Sequence, residues 1–437
     1  MPILPIVQQY LDTLINFERI TYTTGSVDFI TRSMQYNAYM RHSALHLLPS
    51  QTVIIAGTNG KGSTAHLLSS LLIQSGHSVG LFTSPHLVDT AERIQLNNIP
   101  IQEDDQEKIF PVVKQLFNDF ARHNAYIPTY FEFMTAFAAA FFKSAEPDVI
   151  IWEAGLGGRW DAVNVFTADV LILTPIDKDH EAYLGKLRRS IAREKAALIR
   201  SSRCVISAPQ HIIPRRIIKR ACTKYTIPLH TYDKTLLHEH FQQTHRAYHL
   251  HTAPDKTVIL PSIKNHTINL TLALQTLNTL YPKSITRLPV QLTLPAPPAR
   301  LQILTTAPLT IVDGGHNPHA FLSNRTDLNE IFPDKKAIVI FSCMQDKKMT
   351  RLIQLLKPIM QECIIPDAVH PRQCDAHTII DTVQRNGIPA LHVNSLDDAY
   401  THACKIVTPD TYILITGSFY TAGAMMIHHY GIMSPNR

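Results

Sequence analysis

The chain has 437 residues, of which 45% are hydrophobic and 17% charged, with a formal net charge of +6. That length calls for two or three domains, and the composition excludes extended disorder. The charge is mild and forms no dense Lys/Arg run, which argues against a surface that tracks nucleic acid.

The opening residues, MPILPIVQQYLDTLINF, show neither a basic leader nor a small-residue cleavage site, so they read as mature protein. Short apolar runs then alternate with helix-like segments: TVIIA (52–56), SVGLFT (78–83), DVIIWE (148–153), DVLILT (169–174) and CVISA (204–208). Runs apolar on both faces, separated by amphipathic stretches, indicate a parallel sheet covered by helices. The longest apolar stretch, FMTAFAAAFF (133–142), is too short to cross a bilayer, and no membrane association is expected. Residues 209–262 are less regular and include HEHFQQTHRAYHLH (238–251), with five histidines. A metal cluster is one reading; a polar β-hairpin is preferred, because no Cys or carboxylate spacing completes a ligand set. Four prolines between Pro289 and Pro298 mark a connection and divide the chain into 1–295 and 296–437. A second series follows from residue 309: LTIVDGG, AIVIFSC, ECIIPDA, ALHVNS and YILITGS. Both halves read as doubly wound α/β domains. Six cysteines (Cys204, Cys222, Cys343, Cys363, Cys374, Cys404) have no C-x-x-C spacing, which speaks against a disulfide framework or zinc site and for a reducing cytoplasm.

The stretch AGTNGKGST (56–64) raises the main chemical question. The standard phosphate loop, G-x-x-x-x-G-K-[ST], would need glycine at 55 and a hydroxyl at 62, where this chain has Ile55 and Gly62. Context overrules the mismatch. A strand precedes the stretch, and a helix follows in which Leu67, Leu68, Leu71 and Leu72 mark one face and Gly76 supplies a stop. At such a junction backbone amides and the helix dipole attract phosphate. Gly57, Gly60 and Gly62 allow close approach, Lys61 supplies charge, and Ser63 or Thr64 a hydroxyl. The bland alternative is an ordinary βα turn, in which the lysine has no purpose. A nucleotide site also needs Mg²⁺, which takes oxygen ligands. Strand ends offer them: Ser84, Glu153, then Asp177, Asp179 and His180, with Asp313 and His316 leaving a strand in the second half. Singly, each reads equally well as a loop cap or surface residue.

Together these segments resemble a known family. GTNGKGS, SPHLVDTAERI, TYFEF, EAGLGGRWDAVNV, DKDHEAYLG, IAREKAALI, DGGHNPHA and TGSFYTAG occur in the order seen in dihydrofolate synthase/folylpolyglutamate synthase, a branch of the Mur ligases, from about residue 50 to 423. The resemblance implies a P-loop doubly wound ATP-binding domain followed by a smaller Rossmann-like α/β domain, and an ADP-forming ligase. It would join L-glutamate to dihydropteroate or a reduced folate through an acyl phosphate. It implies that Gly57, Thr58, Asn59, Gly60, Lys61, Gly62 and Ser63 hold ATP, with Asn269, Arg300 and Asp313 also contacting the nucleotide. Ser84, Glu153 and His180 would serve Mg²⁺, and Lys195 would carry a carbamate beside a second metal. His316 would lie near the reacting phosphate, and Thr129, Phe131 and Asp161 would line the pterin pocket. A monovalent cation and a monomeric state are further expectations. The chain departs from the family pattern at RITYTTGSVDF (19–29), Lys178, PPAR (297–300) and QDKK (345–348). Another Mur-type amino-acid ligase and a nucleotide-binding paralogue without catalysis are the alternatives at this stage.

Overall fold

A computed structural model describes residues 2–16, 29–123, 128–242, 245–250 and 253–431. Of the departure at 19–29, residues 19–28 lie outside the described residues. The chain forms two compact units. One comprises Met1–His238, His249–Thr257 and His266–Leu294; the other comprises Glu239–Tyr248, Val258–Asn265 and Pro295–Arg437.

The first unit holds an eight-stranded sheet of β1 (Gln51–Ala56), β2 (Val79–Phe82), β3 (Ile94–Leu96), β4 (Ile99–Pro100), β5 (Val149–Glu153), β6 (Val170–Leu173), β7 (Val205–Ser207) and β8 (Leu229–Thr231). Its order is β4-β3-β2-β5-β1-β6-β7-β8. All five apolar runs of the first half became its parallel strands. β3 and β4 add an antiparallel edge joined by Asn97 and Asn98, both left-handed (φ 52° and 62°), the backbone a tight hairpin requires. Helix Lys61–Gln74 packs on β2 and β5 and is covered in turn by helix Thr267–Leu280. For that reason its buried surface extends past the leucine face to Ser69 and Ser70. Helix Tyr130–Ala145 buries FMTAFAAAFF within this core. Among the described residues no helix is long and apolar enough to cross a membrane.

The described part of the histidine-rich stretch falls on neighbouring strands β9 (Leu237–Gln242) and β10 (His245–Leu250), and His251 lies outside the described residues. With β11 (Ala253–Leu260) and β12 (Gln291–Thr293) they form a sheet of order β12-β11-β10-β9. The second unit's sheet contains β13 (Gln302–Thr306), β14 (Leu309–Val312), β15 (Lys336–Phe341), β16 (Met360–Pro366), β17 (Ala390–Val393) and β18 (Thr411–Thr416), ordered β13-β14-β18-β15-β16-β17. Only β13 runs antiparallel to its neighbour. Within this unit Arg246 is 1% exposed and pairs with Glu239, with Glu330 at 3.3 Å and with Asp327 at 3.8 Å. Lys264 reaches the same Asp327 at 2.7 Å.

Candidate active site

β1 lies between β5 and β6, the point where strand order reverses and where ligands bind in open α/β sheets. Its register sets Ile55 opposite Glu153 and Ala56 opposite Leu173, so three strand ends share one rim. The chain turns there through Gly57 to Gly60 and enters the helix at Lys61. Each glycine of the turn faces a different obstacle. A Cβ on Gly57 would lie 1.8 Å from Thr174 Oγ1, and one on Gly60 (φ 87°) 2.5 Å from Asn269 Oδ1. A Cβ on Gly62 would touch Glu153 Oε2 at 3.4 Å. The hydroxyl position of the standard loop is glycine here, and a carboxylate stands beside it.

The loop is fixed from several sides. Thr58 N donates to Pro175 O at 3.0 Å, its Oγ1 donates to Asp177 O at 2.9 Å, and Asp177 N donates back to Oγ1 at 3.0 Å. Thr64 turns its hydroxyl onto Gly60 O (2.8 Å) and Asn269 Oδ1 (3.3 Å), leaving Ser63 as the other hydroxyl of the first turn. Lys61 Nζ reaches Thr58 O at 3.4 Å. The first-turn amides of such a helix lack intrahelical partners and favour an anion.

Glu153 Oε2 accepts from Ser84 N at 3.0 Å, joining the ends of β5 and β2. His180 and Asp179 line a pocket with Gly57, Thr58 and Lys61. Ile191 and Lys195, four residues apart on helix Arg188–Ala196, close its floor. Lys195 is 5% exposed and donates from Nζ to Gly57 O at 2.7 Å. Burial and the Lys61 charge lower its pKa to about 7, against the pull of Asp179 and Asp161. Asp161 is 4% exposed and accepts from Leu156 N (2.8 Å) and Val163 N (3.1 Å), which orders the turn Gly155–Gly157 on the pocket wall. Burial pushes its carboxyl up to about 6, opposed by those amides and by the two lysines. Asp177 sits on this edge with its carboxylate held by Arg188 at 2.6 Å.

Thr129 is the N-cap of helix Tyr130–Ala145, in a capping box with Glu132. Phe131 sits against Gly155, where a Cβ would come within 2.7 Å of the ring. Arg300, Asp313 and His316 belong to the second unit. Asp313 is buried there and accepts from Leu301 N (3.0 Å), Gly315 N (2.6 Å) and Asn324 Nδ2 (2.6 Å). Arg300 lies 5.3 Å over the Phe419 ring, and His316 Nδ1 is 3.4 Å from Gly314 O. Sequence reasoning missed Thr174, Leu184 and Ile191; only the spacing of Ile191 to Lys195 carried a usable signal. Among the described residues no group of three or more His, Cys, Asp or Glu side chains could hold a metal unaided.

A glycine loop with lysine at the switch point of one sheet, followed by a second α/β unit, defines a nucleotide-binding α/β protein. Residues 299–419 match the family model described as Mur ligase, glutamate ligase domain. The dihydrofolate synthase/folylpolyglutamate synthase of Buchnera aphidicola subsp. Acyrthosiphon pisum (strain APS) is 32% identical over 395 residues, covering 87% of this chain and 90% of that protein. The Mycobacterium tuberculosis folylpolyglutamate synthase complexed with ADP superposes with a TM-score of 0.84 at 25% identity, covering 97% of both chains. The bifunctional folylpolyglutamate synthase/dihydrofolate synthase of Yersinia pestis c092, complexed with AMPPNP and Mn ion, gives 0.78 at 25% identity over 98% of both. The chain belongs to the dihydrofolate synthase/folylpolyglutamate synthase family.

Proposed function

We propose that the protein is an ADP-forming ligase that adds L-glutamate to dihydropteroate, to reduced folates, or to both. The observation that carries this reading is the grouping of the Gly57–Lys61 turn, His180 and Lys195 around one pocket, with Glu153 against Gly62. The acceptor carboxylate attacks the γ-phosphorus of ATP and releases ADP, leaving an acyl phosphate. The amine of glutamate then attacks the acyl carbon, and phosphate departs from the tetrahedral intermediate as the amide forms. Such transfers need positioning and charge neutralisation more than covalent help from the protein. The amides of residues 57–63 and the Lys61 ammonium supply both to the triphosphate.

Glu153 and Ser84 meet at one rim, the Ser84 N–H donating to Glu153 Oε2 at 3.0 Å, and oxygen donors of this kind suit a divalent cation that keeps much of its coordination for phosphate and water. Mg²⁺ is the proposed metal; Glu153, Ser84 and His180 would hold it, and it would supply charge neutralisation at the phosphates. A monovalent cation, a monomeric chain and a cytoplasmic setting belong to the same proposal. Lys195, partly neutral near pH 7, is suited to take up carbon dioxide as a carbamate, forming an N–C bond and losing a proton. Asn269, touching Gly60, supports the loop; Arg300, Asp313 and His316 are proposed as nucleotide contacts and Thr129, Phe131 and Asp161 as pterin contacts.

Purified protein with MgATP and glutamate should release ADP only when dihydropteroate or tetrahydrofolate is added. Lys61→Ala should lower that rate by at least about 100-fold. Absence of ADP release with both acceptors would overturn the reading.

A further inference from the structure

We propose that Cys343 and Cys374 are a modification site, a dithiol that closes reversibly to a disulfide on reaction with a low-molecular-weight disulfide. Cys343 follows β15, and Cys374 precedes Asp375, the N-cap of helix Ala376–Arg385. Between these segments Met344 and Gln373 form an antiparallel bridge. It is flanked by Gln345 N donating to Arg372 O at 3.0 Å and Cys374 N donating to Cys343 O at 2.7 Å. The register places the two cysteines directly opposite, with side chains on the same side. Residues opposed in this way have Cα atoms about 5.5 Å apart. A disulfide spans about 4.4–6.8 Å between Cα atoms. The Cα separation meets that range, and closing the bond draws the two Cβ atoms together by about 1 Å from the roughly 5.5 Å of a hydrogen-bonded pair.

The thiols already interact. Cys343 Sγ donates to Met344 O at 3.5 Å; the neighbouring Cys343 thiol holds that of Cys374 below its usual pKa, while Cys374 and burial raise Cys343. Exposure divides the roles further, because Cys374 is half-buried and Cys343 buried. The Cys374 thiolate attacks one sulfur of the small disulfide and expels a thiol, leaving a mixed disulfide. Cys343 then loses its proton, attacks Cys374 Sγ and expels the second thiol. Two protein thiols are oxidised and one small disulfide is reduced to two thiols.

The bond would fasten the segment after β15 to the segment before the helix. Between them Gln373 Nε2 donates to Ser342 Oγ (3.2 Å), Ser418 Oγ (3.1 Å) and Thr421 Oγ1 (2.8 Å). This cluster stands at the carboxyl ends of β15 and β18, the ligand-binding edge of a parallel sheet. Oxidation therefore stiffens a functional edge without altering the fold.

The full-length protein is incubated with oxidised glutathione, alkylated under denaturing conditions and mapped by mass spectrometry. A peptide linked through Cys343 and Cys374, lost on treatment with dithiothreitol, is expected. The oxidised protein should melt higher by on the order of 5 °C, and Cys374→Ser should abolish both the link and the shift. Cys343→Ser should stop at the glutathione adduct on Cys374. Full alkylation of both cysteines after oxidation, or a link between Cys204 and Cys222 instead, would overturn the proposal.

Discussion

A lysine sealed at 5% exposure, with a single carbonyl accepting from its ammonium, is costly to keep charged, and Lys195 is in that position. Its pKa falls from 10.5 to about 7. Below pH 7 both folded and unfolded chains hold the proton, and the folded state bears the whole burial penalty. Between about 7 and 10.5 the unfolded chain still binds a proton that the folded one has lost, so stability rises with pH across that window. The effect is at most about 5 kcal/mol over the whole window, by the usual conversion of about 1.4 kcal/mol per pKa unit. Urea titrations of the ligand-free protein at pH 6.5 and 9.5 should show this rise. Lys195→Met should lack it and be the more stable protein at the lower pH. Parallel pH profiles for the two proteins would refute the assignment. The residue's importance was visible in sequence only through the family resemblance, since IAREKAALI carries no sign of burial. Its neighbour Thr174, which forces Gly57 to be glycine, had no sequence signal of any kind.

Among the elements, the legible ones were buried on both faces. β1, β2, β5, β6 and β7, and later β14, β15 and β18, announce themselves as apolar runs because parallel strands inside a sheet have no wet side, whereas β16 carries Gln361 and Glu362 near its start and the edge strand β17 is half-buried along its length. β3, β4, β8 and β13 did not, being short or polar strands at or beside sheet edges, where alternation is too brief to register. Helix Tyr130–Ala145 shows how an element end serves two readings. Thr129 was expected in the pterin pocket, and the structure also makes its hydroxyl a helix cap, accepting from Glu132 N at 3.3 Å while Glu132 accepts from Thr129 N at 2.7 Å. Loss of such a cap costs about 1 kcal/mol. Thr129→Ala should lower the unfolding free energy read from urea titration by that amount, with a lower midpoint, and Thr129→Ser should restore it. An unchanged midpoint in the alanine variant would show that the cap contributes nothing.

At the scale of the whole molecule, the prolines from Pro289 to Pro298 mark a junction in sequence, while the compact second unit also takes in Glu239–Tyr248 and Val258–Asn265. Periodicity cannot reveal that interleaving, because strands β9 and β10 look like any polar hairpin. The energetic reason for it lies at Asp327, 4% exposed, whose carboxyl burial drives up in pKa and which Lys264 and Arg246 oppose. Both cations come from chain segments that precede residue 295. Ile263, fully buried in the same core, comes from there too. A fragment of residues 296–437 would retain the six-stranded sheet yet leave a buried carboxylate with neither cation and a hole where Ile263 packs. Removing one partner of a buried pair costs about 3–5 kcal/mol, a large share of a domain's stability. The fragment should therefore give no cooperative thermal transition. Arg246→Met in the full-length chain, which keeps Lys264 at 2.7 Å, should unfold cooperatively at a lower midpoint. A fragment melting as sharply and as high as the corresponding transition of the intact protein would show that the second unit does not need its interleaved segments.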